Sequence, residues 1–225
     1  YELFVDGVSY HTASNTTFYQ SIFISNIIEN KQCSLAVTQG SSIVTKNFNI
    51  YVNATIEQNI PNGLKEGLNY NENDPTKITL VLNAPFKDFV YVAGSFNNWS
   101  PKYEHAMKKN PTSDVFWLEL TALTPGEVET YQYWVYDQNP ISGSPKQVKT
   151  ADPYSTLVLS PFDDPYIPEN SYLDLPVYPQ GQEREVTVLK TGQTPYNWQA
   201  TNFDKPTKED LVIYELLIRD FDSDR

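Results

Sequence analysis

Phe89-Val-Tyr-Val-Ala-Gly94, followed directly by Ser95-Phe-Asn-Asn-Trp99-Ser100, decides how the rest of the chain is read. Five β-branched, aromatic or small residues ending at a glycine read as a strand that runs into a sharp turn. The turn then presents Trp99 beside the side-chain amides of Asn97 and Asn98. An indole face covers the apolar C–H face of a pyranose, and amides pair with its hydroxyls. Trp99 and Asn98 are therefore candidate carbohydrate contacts.

Further strands surround this one. Lys77–Leu82, Val115–Leu120 and Thr130–Tyr136 carry the same composition, with turn signals at Ala84-Pro85, Asn110-Pro111 and Thr124-Pro125-Gly126. Their regular spacing predicts a β-sandwich over residues 77–160. Strand alternation divides Tyr131–Tyr136 into two faces: Tyr131, Tyr133 and Val135 on one, Gln132, Trp134 and Tyr136 on the other. Trp117 alternates with Glu119 against Phe116, Leu118 and Leu120, and is a core candidate.

Upstream, residues 1–56 read as a small Ig-like β-sandwich. Tyr1–Val5 and Val8–Thr12 flank Asp6-Gly7, a two-residue hairpin signal, and Phe18–Ile28, Cys33–Gln39 and Ile43–Val52 follow. Residues 57–76, with Pro61-Asn62-Gly63 and an Asn-rich stretch, are expected to be a linker. Residues 161–209 form a proline-rich connector in which Glu185–Leu189 is one further short strand. At 210–225 the character changes: Leu211–Ile218 has one acid among apolar and aromatic residues, as in a strand buried on both faces of a parallel sheet. The fold class expected is all-β, two Ig-like or early-set sandwiches in tandem, then an extended connector and one orphan barrel strand.

A net charge of −12 makes nucleic acid and anionic membranes poor partners, while neutral glycans suit a surface supplied by 16 Tyr and 4 Trp. One cysteine, Cys33, excludes an internal disulfide. No apolar run approaches the roughly 18 residues needed to span a bilayer. His11 and His105 each stand without a second ligand nearby, so no metal or cofactor is expected. Asp220, Asp222 and Asp224 read as a solvated polar turn, and no catalytic residue is assigned.

Lys77–Tyr154 resembles the carbohydrate-binding-module-48-like early-set sandwich that precedes the barrel in many α-amylase-family (glycoside hydrolase family 13) enzymes. The matching residues are Phe89–Gly94, Phe96–Trp99, Leu123-Thr-Pro-Gly126, Tyr131-Gln-Tyr133 and Ala151-Asp-Pro-Tyr154. Asp210–Phe221, with Ile213-Tyr-Glu-Leu216 and Arg219-Asp-Phe221, is similar to the first strand of that barrel. The resemblance implies that Tyr131, Tyr133 and Val135 point inward, which leaves Gln132 and Trp134 outward as further candidate carbohydrate-binding residues. The family's glycogen-binding members often carry Lys where Gln132 stands, and a second Trp just past this strand, where Asn139–Pro145 has no aromatic residue. The implied function is the non-catalytic N-terminal region of an extracellular, bacterial-type enzyme acting on α-glucans. Its expected partners are the glucan and its own catalytic barrel. The alternative is a stand-alone weak glycan-binding or spacer protein.

Overall fold

The computed structural model describes residues 1–14, 29–194 and 196–215. In chain order its strands are β1 (Glu2–Val5), β2 (Val8–Thr12), β3 (Lys31–Gln39), β4 (Ser42–Ile50), β5 (Gly67–Tyr70), β6 (Ile78–Asn83), β7 (Phe89–Gly94), β8 (Lys108–Lys109), β9 (Val115–Leu120), β10 (Val128–Tyr136), β11 (Gln147–Thr150), β12 (Val158–Leu159) and β13 (Val186–Lys190). The protein is all-β, and every ladder between these strands is antiparallel. Residues Tyr1–Gln193 form one compact unit and Thr194–Arg225 another.

Within the first unit, the N-terminal strands make a four-stranded sheet in the order β2-β1-β3-β4. The hairpin turns at Asp6-Gly7, both at positive φ, as the sequence signal requires. Cys33 is buried in this sheet as a free thiol, pushed above the usual thiol range by burial. Phe18–Ile28, read as a strand, lies outside the described residues.

Two sheets build the module that follows. One has the order β5-β6-β9-β8, and the other is organised around β10. β7 pairs with one edge of β10, while β13 and β11 share the other, β13 along its first half and β11 along its second. The core between the sheets takes alternate residues from each: Ile78, Leu80 and Leu82 from β6, Phe116, Leu118 and Leu120 from β9, Val90 and Val92 from β7, and Tyr131, Tyr133 and Val135 from β10. Tyr131, Tyr133 and Val135 thus face inward, as the resemblance implies.

Two buried tyrosines bring two hydroxyls into an apolar core, where each needs a partner. Asp152 supplies it. Its Oδ2 accepts from Tyr131 at 2.8 Å and Tyr133 at 2.9 Å, and its Oδ1 accepts from the backbone N–H of Tyr154 at 2.8 Å. The Asp152 N–H in turn donates to Thr187 Oγ1 in β13 at 2.7 Å. Tyr154 closes the motif by packing on β5. A Cβ at Gly67, which has φ +88°, would lie 2.5 Å from the Tyr154 Cβ, so this approach requires glycine.

The structure differs from the sequence expectation at three places. The stretch 57–76 is not simply a linker. β5 lies within it, and Glu57 bridges Lys109 while Gln58 N–H donates to Lys109 O at 3.0 Å, so the chain lies along the sheet edge. The proline-rich stretch 161–209 contains β13, which pairs with both β10 and β12 and therefore belongs to the sandwich beyond residue 160. Finally, residues 211–215 form no strand, and Val212 is 96 % exposed. An apolar strand of a parallel sheet needs neighbours on both sides to bond its backbone and cover its faces. No described strand pairs with this stretch. The remainder of that run, and Asp220, Asp222 and Asp224, lie outside the described residues.

Replacing Asp152 by Ala strands two buried phenol hydroxyls, and each costs about 1–3 kcal/mol when unpaired. Asp152→Ala is expected to lower stability by about 3 kcal/mol in urea unfolding, with an unchanged denaturant slope. A loss below about 0.5 kcal/mol contradicts this role for Asp152.

Candidate functional site

The turn after β7 is held by its own side chains. Asn97 Oδ1 accepts from Gly94 N–H at 2.9 Å, and its Nδ2 donates to Val92 O at 3.0 Å. This amide is therefore spent on the backbone. The Phe96 ring lies over Gly94, where a Cβ would come within 2.5 Å of Thr130 O and 2.6 Å of the ring, so the glycine provides the close approach. Ser95 Oγ donates to Glu129 and accepts from Thr130 N–H, tying the turn to β10.

Asn98 and Trp99 follow with φ of 52° and 56°, two consecutive residues in the left-handed region. For a residue as bulky as Trp this costs about 1–2 kcal/mol. The Trp99 N–H donates to Gly94 O at 2.9 Å and Ser100 N–H to Asn97 O at 3.0 Å, which hold the bend. Asn98 is left exposed, and Trp99 is half-buried against the cluster formed by Phe89, Tyr91, Ala93, Ala106 and Trp134.

That cluster occupies the outer face of β7 and β10, the face expected to be open, and it is covered. Tyr51, just after β4, sets its ring against Trp134 at 5.4 Å in an edge-on arrangement and against Tyr91 at 5.4 Å. Lys149 Nζ lies 4.8 Å from the centroid of the Trp134 ring. The Tyr91 hydroxyl donates to Val52 O at 3.0 Å. Asn30, immediately before β3, accepts from Val52 N–H and donates to Pro101 O, so the N-terminal sheet is stapled to the module.

Gln132 and Trp134 are accordingly not outward contacts. Gln132 is fully buried, donating to the carbonyls of Glu183 and Glu185, each at 2.8 Å. Trp134 is 6 % exposed and its indole N–H donates to Gln132 Oε1 at 3.2 Å. The alternation that placed them opposite Tyr131 and Tyr133 is observed. The inference that their face is wet is overturned, because residues 51–54 and 183–185 close over it. Of the four candidates, the structure keeps Asn98 and Trp99 together at the surface and encloses the other two. Trp117 is buried too. It lies on the other face from the sandwich core, with its indole N–H on Gln58 O at 3.0 Å and Lys108 over its ring.

Tyr51 and Asn30 are the residues that sequence reasoning missed. Their only signal is position: an amide just before one strand of the N-terminal sheet, and an aromatic residue just after the next. Nothing in the sequence around 183–185 announces that its carbonyls hold an amide. His105 is structural: its Nδ1 accepts from Lys102 N–H and its ring stacks on Phe96, with burial lowering its pKa. Among the described residues, no group of three or more His, Cys, Asp or Glu could hold a metal ion, and no helix is long and apolar enough to cross a membrane.

Residues 65–155 match the family described as carbohydrate-binding module 48, the isoamylase N-terminal domain. The match begins just before β5 and ends just after the Asp152 anchor, so this part of the chain is similar to a module of that type. No curated protein matches the chain. The match supports a carbohydrate-binding, non-catalytic domain.

The buried aromatic rings set an alkaline limit. Burial pushes the Tyr91 phenol up to about 12 and holds Tyr131, Tyr133 and Tyr136 above their ordinary range. A folded-state pKa raised above the unfolded value near 10 favours the protonated fold. Its contribution is therefore complete below about pH 10 and drains as pH rises through about 12. In an alkaline titration, these tyrosines are expected to ionise only together with loss of near-ultraviolet circular dichroism. Ionisation of all 16 tyrosines as one set near pH 10, with the fold intact, contradicts the described burial.

Proposed function

We propose that the chain is the non-catalytic N-terminal region of an extracellular α-amylase-family glycoside hydrolase acting on α-glucans of the starch, glycogen or pullulan type. The observation that carries this reading is the match of residues 65–155 to the isoamylase N-terminal module. The likeness of Asp210–Phe221 to the family's first barrel strand supports it. Hydrolysis would fall to two carboxylates across the scissile bond, supplied by the barrel and not by this module. The module packs on that barrel and steadies glucan near it.

Direct glucan contact in this reading falls on Trp99 and Asn98 at the rim of the turn. Gln132 and Trp134 serve beneath them as support. A single half-buried indole contributes about 1 kcal/mol beyond area burial, so the affinity is weak, with a dissociation constant on the order of 0.1–1 mM. The enclosure of Gln132 and Trp134 favours one rival, a spacer that holds the catalytic unit away from the cell surface and binds no sugar.

Maltoheptaose titrated into the protein, followed by tryptophan fluorescence and calorimetry, is expected to give sub-millimolar to millimolar binding. Trp99→Ala should weaken it about five- to tenfold. No response from the unsubstituted protein supports the spacer. For the enzyme reading, the full-length gene product is expected to release reducing sugar from starch, glycogen or pullulan; failure on all three overturns it.

A further inference from the structure

A cleft of about 300 Å³ lies along the seam between the N-terminal sheet and the module. Gln32, Asn49 and Tyr51 form one wall, and Ser100, Pro101 and Tyr103 form the other, directly after Trp99 in the chain. Its size is at the lower end of the range for ligand sites, enough for about one or two sugar rings of a longer chain.

Three properties fit a neutral saccharide. First, the walls are preformed. Asn30 Nδ2 donates to Pro101 O at 3.3 Å across the seam, and Tyr91 donates to Val52 O, so a ligand need not order them. Second, the lining combines aromatic faces with amides. Tyr103 is 45 % exposed, Gln32 and Asn49 are exposed, and Asn49 Nδ2 donates to the Tyr51 hydroxyl at 2.9 Å, which fixes both at the wall. A tyrosine ring gives a pyranose an apolar face, and an amide offers both a donor and an acceptor to its hydroxyls. Third, the charges cancel. Two acids, Glu29 and Glu104, face two lysines, Lys31 and Lys102, in the lining. The four lining charges sum to zero, and Lys31 is held by Glu29 at 3.6 Å and by Asp6, outside the lining, at 3.0 Å.

We propose that this seam is a carbohydrate-binding site for a neutral oligosaccharide, with Tyr103 as the stacking ring and Gln32 and Asn49 as hydroxyl partners. The identity of that saccharide as an α-glucan rests on the function proposed above. The enclosed outer face of β10 moves sugar contact away from Gln132 and Trp134 and onto a surface that exists only because the N-terminal sheet is docked there.

Maltoheptaose binding to the chain is measured by calorimetry and by backbone amide shifts, for the unsubstituted protein and for Tyr103→Ala and Gln32→Ala. Both substitutions are at exposed positions, and circular dichroism checks each fold. The expected result is binding weakened about five- to tenfold by Tyr103→Ala and a few-fold by Gln32→Ala. Shifts are expected to concentrate at residues 29–32, 49–51 and 100–104. Binding that both variants retain in full, with shifts elsewhere, overturns the seam alone and leaves the glucan reading standing. No binding by the unsubstituted protein overturns glucan contact altogether, and the seam with it.

Discussion

β10 is buried on both faces. From Thr130 to Val135 every side chain is enclosed, so each must find a partner inside the protein. On the inward face the two tyrosine hydroxyls end on one carboxylate, Asp152, which the chain brings back from 19 residues beyond Tyr133. On the outward face a glutamine and an indole satisfy one another, and two carbonyls from 183–185 complete the set. Most of the long-range organisation follows from this demand. β13 reaches the middle of the sheet, the N-terminal sheet docks through Tyr51, and β7 is buried along its whole length because it shares both faces with β10.

The same demand decides where chemistry is possible. A saccharide must compete with water for exposed groups, and a group already bonded inside the protein offers it nothing. Gln132 has no donor left over, because both hydrogens of its amide are engaged with backbone. Asn97 is likewise committed to Gly94 and Val92. Around the covered face, among the described residues, sugar-compatible groups remain at its margins: the strained pair Asn98 and Trp99, and the cleft lined by Tyr103, Gln32 and Asn49.

Much of the sandwich was legible in the sequence because its signals are local. Alternation in Tyr131–Tyr136 assigned each residue to the correct side, Asp6-Gly7 gave the first hairpin, and Glu185–Leu189 anticipated β13 to within one residue. The fate of the outward face was not legible, because it is settled by segments far away in the chain, at 51–54 and 183–185, with no periodicity of their own. β5 was hidden for a related reason: Gly67-Leu-Asn-Tyr70 is short, and its glycine answers to Tyr154, 87 residues on, rather than to a local strand pattern. The run that begins at Leu211 differs in the opposite sense over its described part, residues 211–215. Its composition suits a buried strand, but burial requires neighbours that composition cannot supply.

The account stands on the closure of the outer face of β10, and Trp134 reports on it without any substitution. Hydrogen exchange of the four indole N–H groups, followed by nitrogen-edited NMR with and without maltoheptaose, tests it directly. The Trp134 indole, 6 % exposed and bonded to Gln132, is predicted to exchange far more slowly than that of Trp198, which is 71 % exposed, and to keep its shift when sugar is added. Exchange of Trp134 as fast as Trp198, together with a sugar-dependent shift, would show that the face is open and would contradict the account.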